Sequence, residues 1–562
     1  MQHKLVLGSA FTYALALCML IAITIVAISL LASVPPVSRD ALTHHLFIPK
    51  LYLEHGGIYE IPHISFSYYP MNLDLLNLIP LYFGNDIIPK FIHFAFALIT
   101  AGMIYRYLSR RINTTYALLG ALFFLTIPVI VRLSSTAYVD LGLICFLFAS
   151  LLFLFHWIES HFRLKYLLIS GVFCGLALGT KYNGLVGLFL IGLFAAFAYA
   201  RYHDAGQKRY GAKAIGWCAV FVTTALIVFS PWMIKNFVWT GNPVYPLYNN
   251  IFNQKTIAED TQPETVLEKR TSMSHIQVRR YVYGESWAEI ALIPVRVFFQ
   301  GKDDNPKYFD GKTSPFLLLL PIFTVFGIRR QARQEKTEKY MMLFFSVLFL
   351  LYACAQTSIR IRYFSPIIPP LVILSMFGLY NLQTSILLRI PKISQPFQKA
   401  IIAGIVISIL GLNAAYMADR FKKDQPLVYI TGKATRDQYI QAFRPEYGSF
   451  QYANKHLNDQ DKIFGLYIGN RGYYSDIPID FDIKLLQQIA AKADSEKAVA
   501  EKLRQRGFTH LLVNFSLFNY WVQKYSRHEK QILKDFFENN TITEFSKDGH
   551  GLLEIISEPE NG

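Results

Sequence analysis

The chain alternates between long apolar runs and polar segments of two distinct lengths. A helix that crosses a bilayer needs about 20 mostly apolar residues. Runs of that kind lie at 5–31, 87–108, 114–133, 138–157, 166–180, 184–200, 214–234, 314–328, 340–355, 366–388 and 400–418. The pattern predicts eleven spans, with 166–180 and 314–328 the shortest. The first run is longer than a signal-peptide core, and no small-residue cleavage site follows it, so it reads as a retained first helix. Three polar segments are long: 32–86, 235–313 and the tail from 419 to 562. The tail has no span-length apolar run. Within it, Lys462–Ile468 and Thr509–Val513 predict strands, and Ser495–Arg506 predicts a helix closed by Gly507. The expected architecture is a mainly α, polytopic membrane protein. About 11 transmembrane helices fall within residues 1–418, and a C-terminal α/β domain covers 419–562.

Composition agrees. Of 562 residues, 53% are hydrophobic and 17% charged, against about 25% charged in soluble chains. The net charge of +16 suits either nucleic acid or a membrane, and its distribution decides between them. Alternate short loops are basic: Arg106, Arg110 and Arg111; Arg163 and Lys165; Arg201, Lys208, Arg209 and Lys213; Arg329, Arg330, Arg333, Lys336 and Lys339; Arg389, Lys392 and Lys399. With Lys4 these are 18 basic residues against four acidic ones, Glu159, Asp204, Glu335 and Glu338. From totals of 55 and 39, that leaves 37 basic and 35 acidic residues elsewhere. The excess therefore reflects orientation, with no call for a nucleic-acid partner. The positive-inside rule predicts a cytoplasmic N-terminus and basic loops, and an odd number of spans puts the tail outside. Cys18, Cys145, Cys174, Cys218 and Cys354 all lie in apolar runs and form no CxxC pair, which excludes a disulfide scaffold for the outer segments.

Ionisable residues at a membrane border are costly and therefore functional suspects. On the outer side they recur: Arg39 and Asp40 after the first run; Asp86, Lys90 and His93 at the start of the second; Asp140; Lys181; Lys235 with Asn236; and Arg360, Arg362 and Tyr363. Each has a plainer reading. Asp40 and Asp140 could cap helices, Lys90 and Lys181 could extend to headgroups, and the arginines could anchor an interface. His44 and His45 are adjacent and point apart on a helix. His55 and His63 could add ligands, so a divalent metal ion is an option that no spacing demands. Cations at this depth would hold an anionic lipid head, Arg through a fork and Lys as a point charge. A nearby carboxylate could accept a proton from an attacking hydroxyl. The parts describe group transfer from a lipid phosphate. A transporter or flippase for an anionic lipid or sugar would want the same cations. The long first loop, the roughly 140-residue tail and the lack of paired half-chain similarity speak against it. A non-catalytic scaffold would leave the cations unexplained.

These segments resemble the GT-C superfamily of polyprenyl-phosphate-sugar-dependent glycosyltransferases, in particular the bacterial branch related to protein O-mannosyltransferases and the lipid A aminoarabinose transferase. The residues that carry the resemblance are SRDALTHH (38–45), GNDIIPKFIH (84–93), AYVDL (137–141), GTKYNG (179–184), KNFVWTGNPVYP (235–246) and IRIRYFSPIIPP (359–370). It implies a bacterial inner-membrane enzyme that inverts the sugar, with a polyprenyl-phosphate-linked donor, a lipid, glycan or protein acceptor, and membrane lipids as surroundings. Asp40 matches the general base. Arg360, Arg362 and Tyr363 match the element that contacts the lipid phosphate, with Lys90 and Lys181 in the same role. Asp140 matches a second acidic position that orients acceptor or base. His44, Tyr68, Tyr69 and Asp86 are the candidates for acceptor or sugar contact. Tyr59, Phe66, Tyr68 and Tyr69 could stack on sugars or simply pack at the interface. The 235–313 loop, with Trp239, Tyr245, Tyr248, Tyr281, Tyr283 and Trp287, could act as a lid. Well-known members carry an Asp–Glu pair after the first span, whereas here Ala41 follows Asp40.

Overall fold

A computed structural model describes residues 2–203, 210–253, 274–325, 332–356, 359–387 and 394–556. Asp204, Lys208, Arg209, Arg329, Arg330, Arg389 and Lys392 of the short loops lie outside the described residues, as does 254–273 of the long loop. The chain divides into two compact units. One comprises Met1–Ser33, Tyr69–Leu76 and Ile88–Pro426; the other comprises Val34–Tyr68, Asn77–Ile87 and Leu427–Gly562. Most of the first polar loop thus belongs with the tail.

The first unit is built from α1 (Gln2–Ala32), α2 (Ile88–Arg111), α3 (Thr114–Thr126), α4 (Pro128–Ser134), α5 (Asp140–Glu159), α6 (Leu164–Leu178), α7 (Gly184–Tyr202), α8 (Tyr210–Thr240), α9 (Arg333–Cys354), α10 (Ile368–Asn381) and α11 (Gln395–Asp424). Among the described residues, eight helices are long and apolar enough to cross a membrane, α10 counting with its flanking turns as Ile361–Ser385. The other three expected spans differ in kind. The 114–133 run is α3 and α4, bent by 65°. Pro128 has no N–H to continue α3, and Ile127 before it is extended at ψ 129°. The 166–180 run is the 15-residue α6. In the 314–328 run the described residues form one α-turn, Phe316–Leu319, followed by a 3-10 stretch, Leu320–Val325, that contains Pro321, and 326–328 lie outside the described residues.

The apolar stretch of α5 is 78% buried and that of Ile361–Ser385 is 89% buried, against 17% for those of α1 and α11. The first two are core helices. The exposed Leu15, Met19, Ile23, Ile407 and Leu412 of the others are suited to lipid, where an apolar face carries no penalty. In lipid, helices associate through close packing and polar contacts, and both occur here. In the GVFCG segment of α6, a Cβ on Gly171 would lie 2.8 Å from Thr224 Cβ, and one on Gly175 2.5 Å from the Ala225 carbonyl of α8. Ser150 and Ser170 exchange hydroxyl-to-carbonyl bonds of 2.8 and 2.7 Å between α5 and α6.

The second unit carries a five-stranded mixed sheet of β1 (Ile463–Leu466), β2 (Ile479–Asp480), β3 (His510–Asn514), β4 (Thr541–Lys547) and β5 (His550–Ile555), in the order β2-β1-β3-β5-β4. β1 runs parallel to β2 and β3, while β5 is antiparallel to β3 and β4. Helix Glu496–Arg504 starts at Ser495, whose hydroxyl accepts from Ala498 N–H, and Gly507 ends the region at φ +82°. Its Val499 and Leu503 pack with Leu486, Leu533, Phe536, Phe464, Leu511 and Val513 in one core. The strands and helix expected in the tail are present, in a unit that also includes Val34–Tyr68 and Asn77–Ile87.

Candidate functional site

In the first unit the candidate residues stand at helix ends. Asp140 opens α5 and is fully buried. Val139 takes the cap position, and the Asp140 carboxylate instead accepts from Lys181 Nζ at 2.6 Å. Its second oxygen has no hydrogen bond and lies 4.0 Å from Arg362 Nη1. The supports of these groups can be traced. His93 Nε2 accepts from Leu141 N–H at 2.8 Å, and Nδ1 lies 2.9 Å from the Leu133 and Thr136 carbonyls. Those partners require a neutral ring with the proton on Nδ1, and the ring pins the turn before α5. The turn that carries Lys181 is pinned as well. Asn72 N–H donates to Gly179 O at 2.8 Å, Trp232 Nε1 donates to Asn72 Oδ1 at 2.7 Å, and a Cβ on Gly179 would lie 2.2 Å from Asn72 Nδ2.

Tyr363 links three cations. Lys181 Nζ lies 5.3 Å from its ring centroid, Arg362 Cζ 5.5 Å and Arg360 Cζ 6.0 Å. Arg362 also lies over Tyr138 at 5.1 Å. Burial, and then the nearby Tyr363, push the Tyr69 phenol above its ordinary value. The Tyr69 ring also meets Tyr182 edge-on at 5.4 Å. Tyr182 in turn donates to Tyr245 O at 2.9 Å, beside the Asn236 amide at 3.1 Å. The KNFVWTGNPVYP and GTKYNG segments are therefore one hydrogen-bonded assembly.

Arg360 pairs with Asp310 at 3.6 Å, and from there the network continues through residues the sequence reading missed. Arg132 of α4 contacts Asp310 at 3.1 Å, Asp304 at 2.7 Å and Asp303 at 3.4 Å. Asp303 accepts from Tyr416 Oη at 2.6 Å and lies 3.7 Å from Arg420. Arg420 pairs with Asp424, on which Lys90 also acts. All four predicted phosphate cations, Lys90, Lys181, Arg360 and Arg362, therefore belong to one chain of charges. A signal for the missed members existed: Arg132 interrupts an apolar run, so it needs acids, and KDDNPKYFD supplies them.

Asp40, His44, Tyr68 and Asp86 lie in the second unit. Asp40 is half-buried and precedes a single π-helical turn, Ala41–His45, without a side-chain cap bond to it. His44 stacks on Phe66 at 4.1 Å and takes a 2.9 Å bond with Thr43 Oγ1. Tyr68 donates to Glu60 at 2.6 Å. Asp86 is buried, paired with Arg436, and accepts from Tyr473 Oη at 3.3 Å. His55 stacks on Tyr59 at 4.0 Å. Among the described residues, no three of His, Cys, Asp and Glu gather as a metal site. His44 and His55 instead stack on Phe66 and Tyr59. In the 235–313 segment, Tyr248, Tyr281 and Trp287 are exposed, while Arg279 lies buried between Glu285 and the Phe309 ring.

Buried spans with charges collected at helix ends, joined to a small mixed sheet, define a polytopic membrane protein, and its fold is that of the GT-C proteins, as the resemblance implied. Residues 75–234 match the sequence family described as Dolichyl-phosphate-mannose-protein mannosyltransferase. The fold is similar to that of ArnT from Cupriavidus metallidurans in the apo state, at 15% identity and TM-score 0.56, covering 96% of this chain and 97% of that one. ArnT bound to undecaprenyl phosphate aligns at TM-score 0.55 and 15% identity, over 96% and 98% of the two chains. The apo oligosaccharyltransferase of Archaeoglobus fulgidus aligns at TM-score 0.51 and 11% identity, over 90% of this chain and 71% of that one. No curated protein matches the sequence.

Proposed function

We propose that this chain is a membrane glycosyltransferase that moves a sugar from a polyprenyl phosphate to an acceptor, with inversion, on the periplasmic face of a bacterial inner membrane. The observation that carries the reading is the Lys181–Asp140–Arg362 cluster with its Tyr363 platform. A buried carboxylate pairs with two cations, Lys181 at one oxygen and Arg362 near the other, and that second oxygen makes no hydrogen bond. Such a pair suits a phosphate that arrives as a diester and departs as a more highly charged monoester. Full-length likeness to a structure bound to undecaprenyl phosphate supports the same donor class.

An acceptor hydroxyl oxygen attacks the sugar's anomeric carbon, and its proton passes to the Asp40 carboxylate. The bond from the anomeric carbon to the phosphate oxygen breaks, and its electron pair leaves with the polyprenyl phosphate. Lys181 and Arg362 stabilise that charge, with Arg360 and the buried Lys90 adding positive charge to the same network. Asp140 holds the cations in place and takes no proton. The basic loops, cytoplasmic by the positive-inside rule, set the orientation.

The test is a panel of purified polyprenyl-phosphate sugars offered to the full-length protein with envelope acceptors. Transfer of at least one sugar, lost in Arg362→Met, supports the reading. A panel with no donor consumed overturns it.

A further inference from the structure

The second unit joins the tail domain to the very segment that carries Asp40. After β1, the chain makes a turn in which Ser475 N–H donates to Gly472 O at 2.9 Å. The turn grips the Asp40 segment on both sides. Tyr474 Oη donates to Pro36 O at 2.7 Å, four residues before Asp40. Tyr473 N–H donates to Leu42 O at 3.3 Å, two residues after it. Lys50, on helix Phe47–His55, donates to Tyr473 O at 3.2 Å, Ser475 O at 2.7 Å and Asp476 Oδ1 at 2.9 Å. Gly472 lies against Phe47 so closely that a Cβ would stand 2.4 Å from the ring's Cζ.

The turn is itself fixed to the tail. Asn454 donates to Tyr474 O at 3.0 Å and accepts from Asp476 N–H at 2.9 Å. Arg471 pairs with the buried Glu446, and the Tyr474 ring packs edge-on against Tyr447 at 5.0 Å. The segment it holds runs from Asp40 through a π-turn, closed by Leu46 N–H to Ala41 O, into helix Phe47–His55, so the contacts to Pro36 O and Leu42 O hold the backbone at the start of that helical stretch.

We propose that the Gly472–Ser475 turn is a positioning element for Asp40, through which the C-terminal domain sets the direction of that carboxylate. The proposal rests on the reading of Asp40 as the base. Tyr474 and Gly472 are positioning residues, since they hold backbone on either side and touch no reacting atom.

The experiment uses the full-length protein in detergent with a polyprenyl-phosphate sugar, and the variants Tyr474→Phe and Gly472→Ala. Two quantities are read: kcat with the donor KM, and the rate at which a carbodiimide with glycine ethyl ester modifies Asp40. Trypsin releases Asp40 in the peptide 40–50, where it is the only side-chain carboxylate. Losing one buried hydrogen bond is expected to lower kcat by roughly threefold to tenfold, with donor KM unchanged and the Asp40 modification rate altered. Tyr474→Phe keeps the ring and guards against a folding failure in Gly472→Ala. An unaltered modification rate in Tyr474→Phe overturns the positioning role, whatever happens to kcat. An altered rate in a protein whose wild type transfers no sugar upholds the positioning and overturns the catalytic reading of Asp40.

Discussion

Replacing Asp140 by Asn removes one charge and almost no volume from the most enclosed part of the charge network. Lys181 Nζ is 2.6 Å from one Asp140 oxygen and Arg362 Nη1 is 4.0 Å from the other. At an effective dielectric of about 20, those separations correspond to gross attractions of about 6 and about 4 kcal/mol. Desolvation of the buried carboxylate cancels much of this. Removing one partner of a buried pair typically costs about 3–5 kcal/mol, because the other charge is stranded. The lysine and arginine side chains are 19% and 13% exposed, so the lower end of that range is expected. The assay is thermal unfolding of the detergent-solubilised protein, followed by size-exclusion chromatography, with and without undecaprenyl phosphate. Asp140→Asn should melt below wild type and regain stability when the lipid phosphate supplies the missing anion. The double variant Asp140→Asn/Lys181→Met should recover part of the loss, since the stranded ammonium is gone. It should also respond less to the lipid. A single variant as stable as wild type, or a lipid response unchanged by removing Lys181, would refute the argument.

Asp40→Asn should lower transfer by at least about 100-fold, the scale of a lost general base, with donor binding and melting temperature unchanged; retained turnover removes Asp40 from that role. Gly175→Leu should destabilise the first unit by roughly 1–3 kcal/mol or more, since even a Cβ there meets the Ala225 carbonyl at 2.5 Å. Melting of the purified variant checks it, and a wild-type melting curve contradicts the close packing of α6 on α8. Asp86→Ala should weaken the second unit by about 2 kcal/mol, the worth of a charged hydrogen bond, through loss of its Arg436 and Tyr473 contacts. Limited proteolysis measures this; a raised acceptor KM with unchanged protease resistance would instead assign Asp86 to substrate.

Much of the membrane part is legible in sequence because bilayer thickness imposes one length on every span. Eight of the expected runs appear as single helices of sufficient length among the described residues. The break at Ile127–Pro128 was legible too, for a proline inside an apolar run cannot continue the helix. Reading 114–133 as one span followed hydropathy and overlooked that rule. The clustering of Lys181, Asp140 and Arg362 was legible only as a shared membrane depth; the pairing depends on how α5, α6 and α10 pack. The acids of KDDNPKYFD sit in a loop, where polarity is ordinary, so the pointer to them lay in Arg132, a charge inside an apolar run that needs acidic partners. The grouping of 34–68 with the tail was hidden for a similar reason. It rests on bonds to main-chain carbonyls such as Tyr474 Oη to Pro36 O, and a main-chain acceptor leaves no trace in side-chain pattern.

The claim that this chain cleaves a sugar from a polyprenyl phosphate is tested most directly by stoichiometry. Purified protein in liposomes is given a polyprenyl-phosphate sugar labelled in both lipid and sugar, together with envelope acceptors. The expected result is one polyprenyl phosphate released for each sugar transferred by the wild type, and neither product from Asp40→Asn. Labelled lipid that crosses the bilayer with its sugar still attached, and no free polyprenyl phosphate, would contradict the account.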